Sequence, residues 1–398
     1  MKVVIGANSL TGPLTGIGHY TRSLAESLCL NGDVSDLRLL SHGWLNGPVT
    51  PDFFSEQTQK NLQAGSAGSS SSLLGKLRPM VSKSRIMVEL YDVFTSLTAN
   101  ISLRKYGSND IFHSPDFQFA AFPGKTVVTI PDLSTITFPE FHPSSRVTYI
   151  NRHIRRAIDR ADHIVTISDF VKHEIHEKLG VSIERITTIY PGVDTGFSPI
   201  SQTAFKSAEI VAPVEYKNYF IFVSTIEPRK NLAKLLEAYK RYIEVEGASA
   251  LPLVVLGLPG WNSADIHKEL SLLAKTGHVI YLGYVDRDQL RMLLAGARAL
   301  LFPSLYEGFG LPVIEAMKSG TAVLTSKNSA MSEVCEGAAL LVSPYDKEEI
   351  FQNILYLHRD HDLAKNLAAR GLDVSDTFTW EESAGQTVSL YKSLQDDY

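Results

Sequence analysis

Short apolar runs and longer amphipathic segments alternate along most of the chain. The runs are rich in Val, Ile and Leu and are bounded by Gly, Pro or Asp, as expected for strands buried on both faces. Strands alternating with helices favour parallel sheets, so the sequence predicts an α/β fold. The predicted strands are Val3–Gly6, Asp110–His113, Lys125–Ile130, His163–Ile167, Ile186–Tyr190, Phe220–Ser224, Pro252–Gly257, Val279–Leu282, Ala299–Pro303, Val323–Ser326 and Ala339–Val342.

The amphipathic segments between these runs predict helices. They cover about residues 19–30, Phe170–Leu179, Leu232–Val245, Ser263–Thr276 and Asp286–Ala295, and the chain ends in further helices. Because 398 residues are many for one hydrophobic core, we expect two domains. The predicted units are a first domain at 1–195, a linker at 196–216, a second domain at 217–378 and a terminal helix at 379–398.

The segment 301–317 carries the most informative chemistry of the second half. An apolar run leads into the turn Glu307, Gly308, Phe309, Gly310 and Leu311, and Pro312 then suits the start of a helix. Glu307 therefore lies at the carboxyl end of a strand, where open α/β sheets bind ligands. The backbone N–H groups of the turn suit a phosphate or a polyhydroxylated ligand. Glu315, expected on the first helical turn, would reach the same crevice.

A second motif occurs where the run Phe220–Ser224 ends. Arg229 and Lys230 follow it, and two cations at a strand end can neutralise a diphosphate without metal. Since both side chains are expected on a loop, their replacement should leave the fold intact. A simpler interpretation treats Asn231 as a helix cap and the charged groups of both motifs as solvated. Two such motifs in one domain favour the binding of a sugar nucleotide.

With these motifs the chain resembles the retaining glycosyltransferases of family four, which have the GT-B fold. The resemblance rests on Glu-Pro-Arg-Lys-Asn at 227–231, Glu-x7-Glu at 307–315, and the segments 16–18, 190–194 and 378–384. It implies two Rossmann-like domains facing each other across a cleft, with the nucleotide held mainly by the second. It also implies that the last helix crosses back to the first domain.

The resemblance further implies roles for individual residues. Arg229 and Lys230 would hold the diphosphate, Glu307 the hydroxyls of the donor sugar, and Glu315 the ribose. The backbone of Gly308, Phe309, Gly310 and Leu311 would complete these contacts, and the turn with Tyr284 and Val285 would contact the base. Catalytic roles fall to Arg229, Lys230 and Glu307, and the reaction would need neither metal nor cofactor.

The implied reaction transfers a hexosyl group from a nucleoside diphosphate sugar to a hydroxyl, with retention. From similarity to bacterial O-polysaccharide mannosyltransferases, we expect a GDP-linked donor of mannose or a 6-deoxyhexose such as rhamnose. The expected acceptor is a lipid-linked glycan of O-antigen assembly. The alternatives are transfer from a UDP-sugar to a soluble acceptor, or a catalytically silent sugar-nucleotide binding module. A dehydrogenase fits poorly, because no third glycine follows Gly16 and Gly18 in a Gly-x-Gly-x-x-Gly pattern.

The first domain supplies further candidate residues. Gly16 and Gly18 make the loop after the first strand permissive, so its backbone could approach the donor closely. Pro131 stands where many family members carry a histidine near the sugar's 6-hydroxyl, and Asp132 follows it. Pro131 either stiffens the turn or forms an apolar wall for a 6-deoxy sugar.

Three residues of the first domain are candidates for binding the acceptor. His113 ends a predicted strand and either lines the acceptor crevice or is a hydrogen-bonded histidine of the interior. Asp116 and Asp132 either bind acceptor hydroxyls or form local turns.

Composition limits the classes of protein to which the chain can belong. Cys29 and Cys335 are the only cysteines, and their apolar surroundings favour reduced thiols. A net charge of −5 excludes a strongly basic nucleic-acid binder. No signal peptide, spanning segment or Cys/His metal pattern is evident, so we expect a cytoplasmic protein, either free or peripheral on the inner membrane.

One segment suits contact with an anionic leaflet. It mixes basic and apolar residues after a Gly/Ser-rich stretch, although a solvated amphipathic helix explains the pattern equally well. Its residues are Leu73, Leu74, Lys76, Leu77, Arg78, Met80, Val81, Lys83 and Arg85.

Overall fold

Two largely parallel β-sheets, flanked by helices, organise the two halves of the chain. The computed structural model describes residues 1–11, 14, 16–54, 95 and 97–396. The segment proposed to contact a leaflet lies outside these residues. Within them, no helix combines the length and the apolarity that a membrane crossing requires.

The first sheet has seven strands in the order β3-β2-β1-β4-β5-β6-β7, all parallel except the β2–β3 pair. The second has six parallel strands in the order β10-β9-β8-β11-β12-β13. The first-sheet strands are β1 Lys2–Gly6, β2 Asp36–Ser41, β3 Trp44–Asn46, β4 Ile111–Ser114, β5 Lys125–Thr129, β6 His163–Thr166 and β7 Ile186–Thr188. The second-sheet strands are β8 Phe220–Val223, β9 Leu253–Leu256, β10 Val279–Gly283, β11 Ala299–Phe302, β12 Ala322–Ser326 and β13 Leu340–Val342.

Helices connect the strands and cover both faces of each sheet. The predicted two-domain α/β architecture is therefore confirmed. The helices with bounds inside the described ranges are α1 Gly16–Leu30, α2 Ser134–Thr137, α3 Ser144–Arg160, α4 Asp169–Leu179, α5 Gln202–Ser207, α6 Leu232–Glu246, α7 Ala264–Ala274, α8 Arg287–Gly296, α9 Leu311–Lys318, α10 Ala330–Cys335, α11 Lys347–Arg359, α12 His361–Ser375 and α13 Trp380–Asp396.

Two predictions from the sequence differ from the structure in the first domain. Strands β2 and β3 were not predicted, because Asp36 and Arg38, which form an ion pair of 3.1 Å, interrupt the apolar run of β2. Helix α1 begins at Gly16 instead of about residue 19. Gly18 is thus a helical residue, and a Cβ there would lie 2.9 Å from the Ser9 carbonyl oxygen, so close packing requires a glycine.

The hydrophobic cores show how the chain passes between the halves. Phe197 and Phe205, from the segment predicted as a linker, pack in the core of the second sheet. Helix α13 returns to the first sheet, where Tyr391 and Val388 share a core with Val3. The two halves are therefore joined by two chain crossings, one after β7 and one before α13.

Buried polar contacts also join the halves beside the turn that follows β11. The Leu133 N–H donates to the hydroxyl oxygen of Tyr306 at 2.9 Å, and that hydroxyl donates to Glu174 at 2.5 Å. Tyr306 is only 2% exposed, so water could not replace its hydroxyl as the hydrogen-bond partner of the Leu133 N–H and of Glu174 if that hydroxyl were removed. Ser168 caps α4 and also donates to the Gly308 carbonyl at 2.6 Å.

We predict that Tyr306→Phe lowers the free energy of unfolding by roughly 1–3 kcal/mol, because it leaves a buried N–H and a buried carboxylate without this partner. The midpoint of urea unfolding measures the loss. Tyr216→Phe is the matched control, since the Tyr216 hydroxyl makes one hydrogen bond, to the Ile200 carbonyl, on a partly exposed ring. Equal losses in the two variants would contradict the assignment.

Candidate active site

The adjacent strands β8 and β11 deliver the two predicted motifs to one place. Arg229 and Lys230 lie on the short 3-10 turn Pro228–Lys230 that follows β8. Glu307 lies on the turn after β11, which pairs in parallel with β8. The N–H of Leu305 donates to the Arg229 carbonyl at 2.9 Å, so a backbone hydrogen bond fixes one turn against the other.

Glu307 is shared by both cations. Its Oε2 accepts from Arg229 at 3.2 Å, and its Oε1 accepts from Lys230 at 2.6 Å and from Ser304 at 2.7 Å. Arg229 also donates to Glu227 at 2.9 Å. The side chains of Arg229, Lys230 and Glu307 are 12%, 13% and 9% exposed. We call Glu227, Arg229, Lys230 and Glu307 the ion cluster.

The structure differs from the simpler interpretation of the sequence, in which the charged groups are solvated and Asn231 caps a helix. Arg229 and Lys230 are not solvated loop residues, because each is paired with a buried carboxylate. We therefore expect that replacing Arg229 destabilises the fold, whereas the sequence alone predicted an intact fold. Asn231 does not cap α6 with its side chain, but has left-handed backbone angles and donates to the Pro303 and Pro344 carbonyls.

The pKa shifts in the ion cluster favour the charged forms of Glu307 and Arg229, but not that of Lys230. Burial alone would raise the pKa of Glu307, but the charges of Lys230 and Arg229 outweigh it and hold that pKa below its ordinary value. Burial would lower the pKa of Arg229, whereas Glu307, Asp132 and Glu227 together raise it. Burial and the charge of Arg229 lower the pKa of Lys230.

The turn before α9 offers backbone donors. Among the described residues, the N–H groups of Gly308, Phe309, Gly310 and Leu311 donate to no protein acceptor. Gly310 has φ +95 and precedes the first helical residue, so a glycine is needed where the chain reverses. The Phe309 ring is 2% exposed and packs on Tyr190 and Phe378, so only its backbone can serve a ligand.

The first domain meets this turn at Pro131 and Asp132. A Cβ on Gly308 would lie 2.0 Å from the Pro131 carbonyl oxygen and 3.0 Å from Asp132 Cβ, so this close approach of the two domains requires a glycine at residue 308. Pro131 is buried, and Asp132 is partly buried. Burial alone would raise the pKa of Asp132, but the charge of Arg229 and a hydrogen bond from Ser134 lower it.

Glu315 occupies a different environment from Glu307. It lies on the second turn of α9 rather than the first, five residues after Gly310, because the helix begins at Leu311. Arg287 Nη2 approaches Glu315 Oε1 at 3.5 Å, while Arg287 Nε donates to Asp194 at 2.8 Å. Burial raises the pKa of Glu315 to about 7, although Arg287 opposes this shift.

The remaining predicted donor contacts lie toward the protein surface. Tyr284 is 71% exposed after β10, and Val285 is partly buried against the second core. Gly16 is exposed at the start of α1, and a Cβ placed there would meet no atom of the described residues within 4 Å.

Two of the residues predicted to bind the acceptor are buried. His113 is fully buried, and its ring nitrogens meet the Tyr391 and Thr129 hydroxyls at 2.6 and 2.7 Å. It is therefore a hydrogen-bonded core histidine, and the expectation that it lines the acceptor crevice was wrong. Asp116 is 6% exposed, accepts from Ser114 at 3.0 Å, and has a pKa raised by burial to about 6.

Three site residues were not identified from the sequence. Glu227 stands inside the recognised motif, but nothing in its spacing showed that it pairs with Arg229. Ser304 stands between Pro303 and Leu305 with no polar pattern around it, yet it donates to Glu307. Arg287 is the first residue of α8, where a cation carries no particular signal.

Comparison with known proteins agrees with this geometry. The chain is 31% identical over 394 residues to O-antigen chain mannosyltransferase B of Escherichia coli, covering 99% of this chain and all of that protein. It is 26% identical over 348 residues to O-antigen chain mannosyltransferase RfbU of Salmonella typhimurium, covering 87% and 88%.

Solved structures share the fold at low sequence identity. WaaG, a glycosyltransferase involved in lipopolysaccharide biosynthesis, matches with a TM-score of 0.70 and 13% identity over 98% of this chain and 99% of that one. Anabaena HepE in complex with UDP and glucose matches with a TM-score of 0.67 and 17% identity over the same shares.

Two family descriptions divide the chain at the crossing between its halves. Residues 88–197 match glycosyltransferase family 4, and residues 205–373 match glycosyl transferases group 1. Together with the full-length similarity to a mannosyltransferase and the paired parallel sheets, they show that the chain belongs to the family-four glycosyltransferases of the GT-B fold.

Proposed function

We propose that the chain transfers a mannosyl group from GDP-mannose to a hydroxyl of a lipid-linked glycan during O-antigen assembly, with retention of the anomeric configuration. The observation that carries the proposal is the ion cluster beside the unbonded N–H groups of Gly308–Leu311. Cations and N–H donors that converge at strand ends suit a diphosphate and the sugar attached to it.

The choice of mannose and of O-antigen rests on the relatives, and GDP is carried over from the expectation that the sequence resemblance gave. Two of them, with nearly full-length similarity, are O-antigen chain mannosyltransferases. Pro131 fits this choice as a stiffened turn, since its carbonyl packs against Gly308 where the domains meet. A 6-deoxy donor is the competing interpretation of Pro131 and is tested below.

The proposed chemistry uses the leaving group as the base. The acceptor oxygen bonds to the anomeric carbon on the face of the departing diphosphate, the bond from that carbon to the phosphate oxygen breaks, and the phosphate takes the acceptor's proton. Arg229 and Lys230 stabilise the charge that develops on the phosphate. Glu307, held ionised by both cations, has oxygens that can accept from sugar hydroxyls.

The proposal is tested with the purified chain, a mannose-terminated lipid-linked acceptor, and a panel of sugar nucleotides. We expect GDP-mannose to yield a product whose mannose keeps the α configuration, measured by NMR of the anomeric proton. GDP at a hundred times its Kd should stabilise the protein by about 2.7 kcal/mol. Transfer from a UDP-sugar alone would support the soluble-acceptor alternative, and binding without transfer would indicate a silent module.

We predict that Lys230→Ala lowers turnover by at least ~10²-fold, as for other preorganised charge-stabilising groups. Its cost in stability should be the smaller of the two cation variants, because Glu307 keeps Arg229 and Ser304 as partners. Lys234→Ala is the control, since Lys234 lies on α6 and pairs with Glu237 near the surface. Near-normal turnover of Lys230→Ala would contradict the diphosphate assignment.

Arg229→Ala should lose activity and also lower the free energy of unfolding by about 3–5 kcal/mol, because Glu227 and Glu307 would lose a buried partner. Urea unfolding followed by circular dichroism measures this loss. An unchanged midpoint would show that the ion cluster does not hold the two turns together.

We predict that the wild-type chain has at least ~10-fold higher kcat/KM for GDP-mannose than for GDP-rhamnose, because a site that hydrogen-bonds a sugar hydroxyl discriminates strongly against the analogue that lacks it. Pro131→His supplies the check. The 6-deoxy interpretation is correct if wild type instead prefers GDP-rhamnose and Pro131→His shifts the ratio of the two kcat/KM values toward GDP-mannose. The expected shift is about threefold to tenfold, which is the contribution of one neutral hydrogen bond.

A further inference from the structure

An arginine outside the recognised motifs lies between the chain crossing and Glu315. Arg287 is the first residue of α8, directly after the Asp286 cap and the turn that follows β10. Its guanidinium reaches two carboxylates at once, with Nε 2.8 Å from Asp194 Oδ2 and Nη2 3.5 Å from Glu315 Oε1. Asp194 belongs to the segment that passes from β7 into the second domain.

Packing restrains this guanidinium. Its Cζ lies 5.1 Å from the centre of the buried Phe197 ring, and Arg287 is 31% exposed. Asp194 is fixed in turn, because its Oδ1 accepts from the Gly196 N–H at 2.7 Å. A planar guanidinium held by a ring and a carboxylate has its remaining N–H groups aimed in a set direction.

The neighbouring Arg291 provides a natural comparison. It also donates to Asp194, at 3.0 Å, and its Cζ lies 5.8 Å from the Phe197 ring centre. Its second charged partner is Asp288 on the same helix, at 2.9 Å. Within the described part of the chain, Arg287 is thus the arginine whose ion pairs join Asp194 to Glu315.

We propose that Arg287 is a positioning residue for nucleotide binding: it orients Glu315 so that the carboxylate accepts hydrogen bonds from the ribose hydroxyls. The proposal deepens the function proposed above and rests on it, because it takes Glu315 as the ribose ligand. It adds that Asp194, in the crossing segment, fixes Arg287 and thereby connects the geometry of the crossing to the ribose site.

The electrostatics of Glu315 support this role. Burial raises its pKa to about 7; the charges of Arg287 and Arg291 lower the pKa, and that of Asp194 raises it. His19 of α1 interacts with Arg287 and Asp194, but burial and the charges of Arg287 and Arg22 lower the pKa of His19 to about 4, so it is neutral at pH 7. Without Arg287, the pKa of Glu315 rises further, and the carboxylate is lost at a higher pH.

The test compares binding of GDP and 2′,3′-dideoxy-GDP, by calorimetry, to wild type, Arg287→Gln and Arg291→Gln. We expect Arg287→Gln to weaken GDP by about tenfold, the loss typical of one charged hydrogen bond, and to change dideoxy-GDP by less than about twofold. Retained binding of dideoxy-GDP also shows that the variant is folded. Arg291→Gln should change the ratio of the two affinities less than Arg287→Gln does, because the charge of Arg291 acts more weakly on Glu315.

The pH dependence gives a second measurement. Because GDP and dideoxy-GDP carry the same diphosphate, its titration affects both affinities equally. The ratio of the two affinities therefore reports on the ribose contact alone. This ratio should fall as Glu315 is protonated, and its midpoint should lie at higher pH in Arg287→Gln than in wild type.

The outcomes separate the two proposals. Equal weakening of GDP and dideoxy-GDP by Arg287→Gln, or an equal change of the ratio in Arg291→Gln, overturns the positioning role while the nucleotide site stands. Failure of wild type to bind either nucleotide overturns the proposed function and the inference together.

Discussion

The sharing of Glu307 between Arg229 and Lys230 is the interaction on which the geometry of the site depends. Three ionised groups removed from water are stable only when each is paired. Because the cations follow β8 and the carboxylate follows β11, their pairing fixes the two turns at the ends of neighbouring strands. With those turns fixed, the N–H groups before α9 are left facing away from protein acceptors among the described residues.

The cluster is close to electrically neutral, which changes how it can bind an anion. Glu227 and Glu307 offset the charges of Arg229 and Lys230, whereas the sequence alone suggested two free cations. A diphosphate would therefore be held by directed N–H donors of the guanidinium, ammonium and backbone more than by net positive charge. Such donors need no reorganisation when charge develops on a leaving group, which is the property that electrostatic catalysis requires.

The fold and the position of the cluster were predictable because local patterns determine them. Apolar runs indicated the parallel strands, and motifs at their carboxyl ends indicated Arg229, Lys230 and Glu307. Side-chain partners were not predictable, because they come from segments distant in sequence. His113 looked like a cleft residue, but its partner Tyr391 is supplied by the last helix. Asn231 looked like a cap, but two distant carbonyls engage its amide.

The two glutamates of the Glu-x7-Glu motif show why spacing alone does not define a site. Glu307 and Glu315 are the same residue type at nearly the same burial, with side chains 9% and 14% exposed. Two cations in direct contact lower the pKa of Glu307, whereas one cation at 3.5 Å leaves the pKa of Glu315 raised by burial. The ionised form of Glu307 is thus favoured, whereas Glu315, with a pKa of about 7, changes its charge near neutral pH. Because that single cation is also bound to Asp194, the ionisation of Glu315 depends on the segment that joins the two domains.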